Sequence, residues 1–198
     1  MENLRTYDMM INRIIQESIA VKEKILMDQL LINTIGEVAA LCTNSFRKGN
    51  KVLFCGNGGS AADAQHLAAE LSGRFYYERP PLPAEALHVN TSYLTAVAND
   101  YSFDEVYSRL VKGSGRPGDV LIALSTSGNS RNVIHALQTA RESGITTVGL
   151  TGLPGGLMKP FCDYLINVPS EDTPRIQEAH ILIGHIICQL IESTLFPR

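Results

Sequence analysis

The 198-residue chain has no tryptophan and only four cysteines, Cys42, Cys55, Cys162 and Cys188, none in a Cys-x-x-Cys pair. That scatter excludes a disulfide frame and a zinc knuckle and fits reduced, buried thiols. Charge of one sign is also lacking. The 17 basic and 20 acidic residues leave a net charge of −3, which offers no general attraction to nucleic acid or an anionic membrane. No apolar run approaches the ~18–20 residues of a membrane-spanning helix, and the charged N-terminal stretch has no signal-peptide core. Linkers, repeats and low-complexity segments are missing too. The expectation is a cytoplasmic protein with one domain over 1–198 and no nucleic-acid or membrane partner. Its 44% hydrophobic and 19% charged residues suffice for a full core.

What is present begins with helix. Ile11, Ile14, Ile15 and Ile19 recur at helical spacing, as do Leu31, Ile35, Val38 and Leu41. They predict two helices over 1–48, closed by Gly49 after Arg47 and Lys48. With no chemistry of its own, this segment is expected to pack on the domain or on another chain. From residue 51 the pattern alternates. Short apolar strands are predicted at 52–55, 84–89, 120–124, 147–150 and 164–168. Helices are predicted at 60–73, 94–99 with 104–112, 131–143, near 156–161 and 174–195. Strands buried on both faces and separated by helices imply a parallel sheet covered on both sides. Ligands of such sheets bind beyond the strands' carboxyl ends, so the loops at 55–60, 89–93, 124–130 and 150–156 should gather on one edge.

The segment CGNGGSAADAQHLAAEL at 55–71 is the most informative. An apolar strand runs into a glycine-rich turn and then an alanine-rich helix, a layout that presents backbone N–H groups to an anion. Asn57, Gly58 and Gly59 let backbone approach a ligand closely, and Ser60 adds a hydroxyl. His66 and Glu70, four residues apart, share one helix face. A second loop, Ser125-Thr126-Ser127-Gly128-Asn129-Ser130, follows the third strand and opens a helix. Hydroxyls and N–H groups at a helix start suit a phosphate, although serine, asparagine and glycine also serve plain caps and turns. No Gly-Lys-Ser/Thr follows the first loop, and it lacks the full Gly-x-Gly-x-x-Gly spacing, so a small phosphorylated ligand is favoured over a nucleotide.

Those two motifs, with Ala-Asn-Asp at 98–100 and SEDTPRIQEAHILIGHIICQLIE at 170–192, resemble the phosphoheptose (sedoheptulose 7-phosphate) isomerases of the sugar isomerase fold. The resemblance covers nearly the whole chain. It implies an α/β three-layer sandwich on a five-stranded flavodoxin-like sheet, a homotetramer with active sites at subunit contacts, and one zinc ion per site. It implies an aldose–ketose isomerase working through an enediol, with Glu70 as base and His185 as acid or shuttle. His66, Glu70, Gln177 and His185 would hold the metal, with glutamine an unusual zinc ligand. Asn57, Gly58, Gly59, Ser60, Glu70, Asn99, Asp100, Ser125, Thr126, Ser127, Ser130 and Gln177 would contact the sugar phosphate. A similar branch of the fold binds the bacterial replication initiator, and Glu78-Arg79-Pro80 and Phe196-Pro197 resemble it. Glu70 and His185 favour the enzyme. A regulatory sugar-phosphate-binding domain is a third alternative.

Taken without the resemblance, the same residues allow plainer roles. His66 and Glu70 make an ordinary surface pair, His185 a core histidine, and Gln177 a first-turn residue after a Thr173 cap and Pro174. Arg74 is either a salt-bridge partner of Glu70 or an orienter of it. His88, His135 and His180 are read as structural. Gln177 and His185 are eight residues apart, which is ~12 Å along an ideal helix and ~80° around it. Either that helix starts irregularly or the two residues serve different copies of the site.

Overall fold

A computed structural model describes residues 2–198, with side chains described from Thr6 onward. In chain order the elements are α1 (Glu2–Met27), α2 (Gln29–Arg47), β1 (Val52–Gly56), α3 (Gly59–Ser72), β2 (Ala84–Ala86), α4 (Thr91–Asp100), α5 (Val106–Ser114), β3 (Val120–Leu124), α6 (Arg131–Glu142), β4 (Thr146–Thr151), β5 (Tyr164–Asn167) and α7 (Thr173–Leu195). Short 3-10 turns at Phe103–Glu105 and Lys159–Phe161 complete them. All strand pairs are parallel and the order is β2-β1-β3-β4-β5. The strand order reverses between β1 and β3, so the loops after these two strands flank the switch point where open α/β sheets bind ligands.

Side-chain alternation divides the apolar residues of the inner strands between two cores. Val52, Phe54, Val120, Ile122, Leu124, Val148 and Leu150 face one, with residues of α2, α3 and α7. Leu53, Cys55, Leu121 and Ala123 face the other, with residues of α5 and α6. This is the covered parallel sheet expected from the sequence. Burial pushes the Cys42 and Cys188 thiols up to about 12, so neither is a ready nucleophile.

Several boundaries differ from the sequence reading, and the short helix expected near 156–161 is a single 3-10 turn at Lys159–Phe161. β2 stops at Ala86. It is an edge strand, and the chain turns back there, with Val89 N–H donating to the Ala86 carbonyl. α4 starts at Thr91 because the Asn90 side chain accepts from Tyr93 N–H at 3.0 Å. It runs on through Asn99 and Asp100, which therefore belong to the last helical turn. The cap of α7 is Asp172 rather than Thr173. α7 is continuous from Thr173, so its start is not irregular.

The sequence correctly places Gly49 just past α2, where its φ is 77°. Of α1, Val21 and Ile25 are buried, whereas Ile11, Ile14, Ile15 and Ile19 stand in solvent. α1 reaches α7 through polar ties. Ser18 Oγ donates to Glu178 Oε2 at 2.6 Å, and Arg175 Nη1 donates to the Ile14 carbonyl at 2.8 Å. Among the described residues no single helix is long and apolar enough to cross a membrane.

His180 on α7 is fully buried, and neither ring nitrogen has a hydrogen-bond partner. Burial pushes it down to about 4 from an ordinary 6.5, only partly opposed by the nearby Thr151 backbone. The folded protein thus refuses a proton that the unfolded chain accepts. Stability is complete above pH 6.5 and drains away as the pH falls toward 4, by on the order of 3 kcal/mol from this group. His88, also lowered by burial, acts in the same direction. Urea unfolding of His180→Leu across pH 4–7 should show a shallower loss than the native chain. An unchanged slope would remove His180 as its source.

Candidate active site

The site is built on two parallel helices. Gln177 lies by Gly59, Gly184 by Leu67, His185 by His66 and Glu192 by Phe75, an offset kept along the whole contact. Glycine at 184 is required by that approach, since a β-carbon there would collide with the Leu67 side chain. On this frame His66 Nε2 faces His185 Nε2 at 3.0 Å, one ring donating and the other accepting. Glu70 Oε1 lies 3.3 Å from His66 Nε2. One ligand atom from each of His66, Glu70 and His185 lies within 4.8 Å of the others. The half-exposed His66 opens the group to solvent, and Glu70 is less exposed.

The far end of α3 is fastened by a buried ion pair. Arg79 Nε donates to Glu192 Oε1 at 3.1 Å, with both side chains about 1% exposed. Nη1 of Arg79 donates to the carbonyls of Leu71, Gly73 and Pro80, and Nη2 to that of Glu70 at 2.8 Å. Glu192 also accepts from Phe75 and Tyr76 N–H. Burial alone would raise the Glu192 carboxyl, but these two amides and Arg79 outweigh it and hold it below the usual range. Arg74, read from the sequence as a partner or orienter of Glu70, makes no ion pair with it among the described residues. Arg79 reaches the Glu70 backbone instead.

The anion loops form the second part. Gly58, at φ 56°, turns the chain into α3. Ser60 and Ser125 are buried, and Ser125 Oγ lies 3.1 Å from Ser130 Oγ. Ser127 Oγ accepts from Asn129 N–H. Gly128, at φ 68°, lets this loop touch the backbone of Gly155 and Gly156. A cleft of about 240 Å³ beside it is lined by Thr126, Ser127, Asn129, Pro154, Glu171 and Thr173, together with Ile176.

The two loops are joined by a reciprocal amide pair. Asn57 Nδ2 donates to Asn132 Oδ1 at 2.8 Å, and Asn132 Nδ2 donates to Asn57 Oδ1 at 2.9 Å. Tyr107 Oη donates to the Gly56 carbonyl beneath them.

Within one chain the predicted residues therefore fall into separate groups. His66, Glu70 and His185 converge. Asn57, Gly58, Gly59, Ser60, Ser125, Thr126, Ser127 and Ser130 sit at the sheet edge. Gln177 belongs with the edge, because a β-carbon on Gly59 would come within 2.5 Å of its Nε2. His66 is seven residues further along α3, ~10 Å of helical rise, so this Gln177 does not join the histidine group. Asn99 and Asp100 bond to each other at 2.9 Å and reach neither group. His135 pairs with Glu105 at 3.2 Å, a tie between elements remote from the cluster. Phe75, Tyr107, Asn132 and Glu192 were missed, and Arg79 was noted only within Glu78-Arg79-Pro80, without its ion pair. Only Glu192, a lone carboxylate seven residues after His185 in an apolar run, carried a sequence signal.

A hydroxyl-rich sheet edge and, further along α3, a carboxylate with two imidazoles are the features that the comparisons with known proteins assign to a sugar-phosphate isomerase. Residues 11–152 match the family model of the SIS domain. The chain is 54% identical over 182 residues to the phosphoheptose isomerase of Aneurinibacillus thermoaerophilus, covering 92% of each chain. It is 61% identical over 161 residues to that of Rhodospirillum rubrum, covering 81% of this chain and 86% of that one. The structure of phosphoheptose isomerase from Neisseria gonorrhoeae superposes with a TM-score of 0.88 at 43% identity, over 94% of this chain and 99% of the other. The chain belongs to the phosphoheptose isomerase family of SIS-domain proteins, and it is an isomerase.

Asn132→Leu removes both amide hydrogen bonds of the half-buried Asn57 and leaves its Oδ1 only the 3.4 Å contact with Tyr107 Oη, a loss of about 1 kcal/mol per hydrogen bond. It should raise the sugar-phosphate KM roughly tenfold and spare the histidine cluster. Steady-state kinetics check this, and an unchanged KM would detach the amide pair from ligand binding.

Proposed function

We propose that the chain converts sedoheptulose 7-phosphate into D-glycero-D-manno-heptose 7-phosphate, an entry step toward nucleotide-activated heptose. The observation that carries this reading is the meeting of Glu70, His66 and His185 at hydrogen-bonding distances. Glu70 takes the proton from C1 of the ketose as His185 gives one to the C2 oxygen, leaving an enediol. Glu70 then returns its proton to C2 as His185 takes the proton of the C1 hydroxyl. Oε1 of Glu70 faces His66, leaving Oε2 for this work. Ser60, Ser125, Thr126, Ser127 and Ser130 receive the phosphate, helped by the N-termini of α3 and α6. Asn99 and Asp100, apart from both groups within one chain, would meet the sugar hydroxyls from a neighbouring chain.

The residues fit a zinc ion. Two imidazole nitrogens and a carboxylate oxygen are a set typical of catalytic zinc. The separations of 3.0 and 3.3 Å are close to the ~3.4 Å between ligands on a tetrahedral ion with ~2.1 Å bonds. His66, Glu70 and His185 would hold it, with Gln177 as fourth ligand. When bound, the ion polarises the substrate oxygens.

Gln177 would then come from another chain, since α7 starts regularly and its own Gln177 lies at Gly59. Glu70 is eleven residues past Gly59, ~16 Å of helical rise, which also supports a site shared between chains. A homotetramer accounts for the exposed stripe of α1. It also accounts for an apolar groove of about 390 Å³ lined by Ile25, Leu26, Ile35, Leu182, Ile186 and Leu190, with Lys22, Ile32 and Gly36.

Glu70→Gln should lower turnover of sedoheptulose 7-phosphate by ~10²–10⁴ while the protein stays folded. Near-native turnover would remove Glu70 as the base.

Subunit sharing has its own test. Glu70 and His185 already meet in one chain, so mixing variants of those two should restore nothing. Mixed oligomers of Glu70→Gln and Ser127→Ala should regain activity if loop and base of different chains form one site. No recovery after verified exchange of subunits would place both in one chain.

A further inference from the structure

His185 lacks the usual means of fixing an imidazole. A functional histidine is commonly oriented by a hydrogen bond at its second ring nitrogen. Among the described residues the only hydrogen bond to the His185 ring is that of His66 at Nε2. Besides the His66 ring, edge-on at 5.1 Å and 64°, the ring against it is Phe75, with centroids 5.7 Å apart and planes at 41°. Phe75 is braced in turn. Tyr76 meets its ring edge-on at 4.5 Å and 68°, and its backbone N–H donates to Glu192 Oε1 at 3.0 Å.

We infer that Phe75 is the positioning residue of His185. Its ring holds the imidazole in the rotamer that aims Nε2 at His66 and Glu70, and the buried Arg79–Glu192 pair holds Phe75 in place. The inference rests on the isomerase reading of this cluster. The chain of support is continuous. Glu192 is one heptad beyond His185 on the same face of α7. It fixes the backbone of Phe75, and the Phe75 ring returns to His185. An aliphatic side chain of similar bulk fills the same space but presents no aromatic face, so the imidazole gains other rotamers. Aromatic contacts of this kind are worth roughly up to tenfold in a population ratio.

Phe75→Leu and Phe75→Tyr test it. Long-range ¹⁵N–¹H spectra of the metal-free protein report the tautomer and exchange of each histidine ring. In the native chain and in Phe75→Tyr, His185 should show one fixed tautomer coupled to His66. In Phe75→Leu its signals should average. Titration with Zn²⁺ alone should show affinity reduced roughly three- to tenfold, and kcat should fall by a similar factor with KM unchanged. The tyrosine variant should restore all three. Should the leucine variant unfold, Phe75→Met carries the same readouts. A fixed His185 tautomer in the leucine or methionine variant overturns the inference, whatever the turnover. If the native chain does not isomerise the sugar phosphate but the His185 signals still respond to position 75, the isomerase reading fails and the positioning role stands.

Discussion

Glu192 carries a carboxylate about 1% exposed in the apolar run that ends α7. A lone charge there would cost several kcal/mol, and removing one partner of such a pair commonly costs about 3–5 kcal/mol. Arg79 and two backbone amides satisfy it, and the same guanidinium collects four carbonyls at and beyond the end of α3. The pair thus ties the last turn of α3, the segment that follows and α7 into one body. At Gly184 the two helices approach closely, with the Leu67 side chain packed where a β-carbon would stand. With both contacts fixed, neither helix can slide or rotate alone. One residue of slip is 1.5 Å and 100°, enough to separate the 3.0 Å contact of His66 with His185.

The edge of the sheet follows a different logic. Its loops are held by polar pairs, Asn57 with Asn132 and Ser125 with Ser130, and by close backbone packing of Gly128 on Gly155. Those contacts leave backbone N–H groups and hydroxyls at the starts of α3 and α6, where the partial positive charge of each helix favours an anion. The proposed chemistry needs these two regions in one site. Along α3 they are separated by more than the length of a heptulose carbon chain favours. Rigid helices cannot shorten that distance, so the separation is better met by a second chain than by a bend in the first.

How much of this could be read from the sequence follows from the range of each interaction. β1, β3 and β4 were legible because strands buried on both faces are short unbroken apolar runs. The glycine turn before α3 and the hydroxyl loop before α6 were legible because their composition is local. The end of β2 and the start of α4 were misplaced because single hydrogen bonds decide them, Val89 N–H to the Ala86 carbonyl for the first and Tyr93 N–H to the Asn90 side chain for the second. The convergence of His66, Glu70 and His185 became visible through resemblance, since helical spacing alone equally allows an exposed pair and a core histidine. Arg79, Asn132 and Phe75 were not legible, because each acts through a partner 75 or more positions away. The conflict between Gln177 and His185 was legible from helical geometry. The regular start of α7 removes the first of its two solutions, and the proposed assembly takes the second, a glutamine serving another copy.

That solution gives the N-terminal helix a place in the chemistry. The exposed stripe Ile11, Ile14, Ile15 and Ile19 lies on α1, whose polar ties to α7 land on Arg175 and Glu178. Lys22 adds an ion pair to Glu178 at 3.8 Å, and Arg175 closes on the same carboxylate at 2.7 Å. Gln177 sits between these two anchors. A single exposed ion pair contributes ~1 kcal/mol or less, so the ties do not hold α1 by strength. They set its register on the turn of α7 that presents Gln177. A second chain covering the isoleucine stripe would press α1 onto that turn and order it. In the proposed assembly, the helix without chemistry of its own therefore couples association to the placement of the glutamine that the histidine cluster lacks.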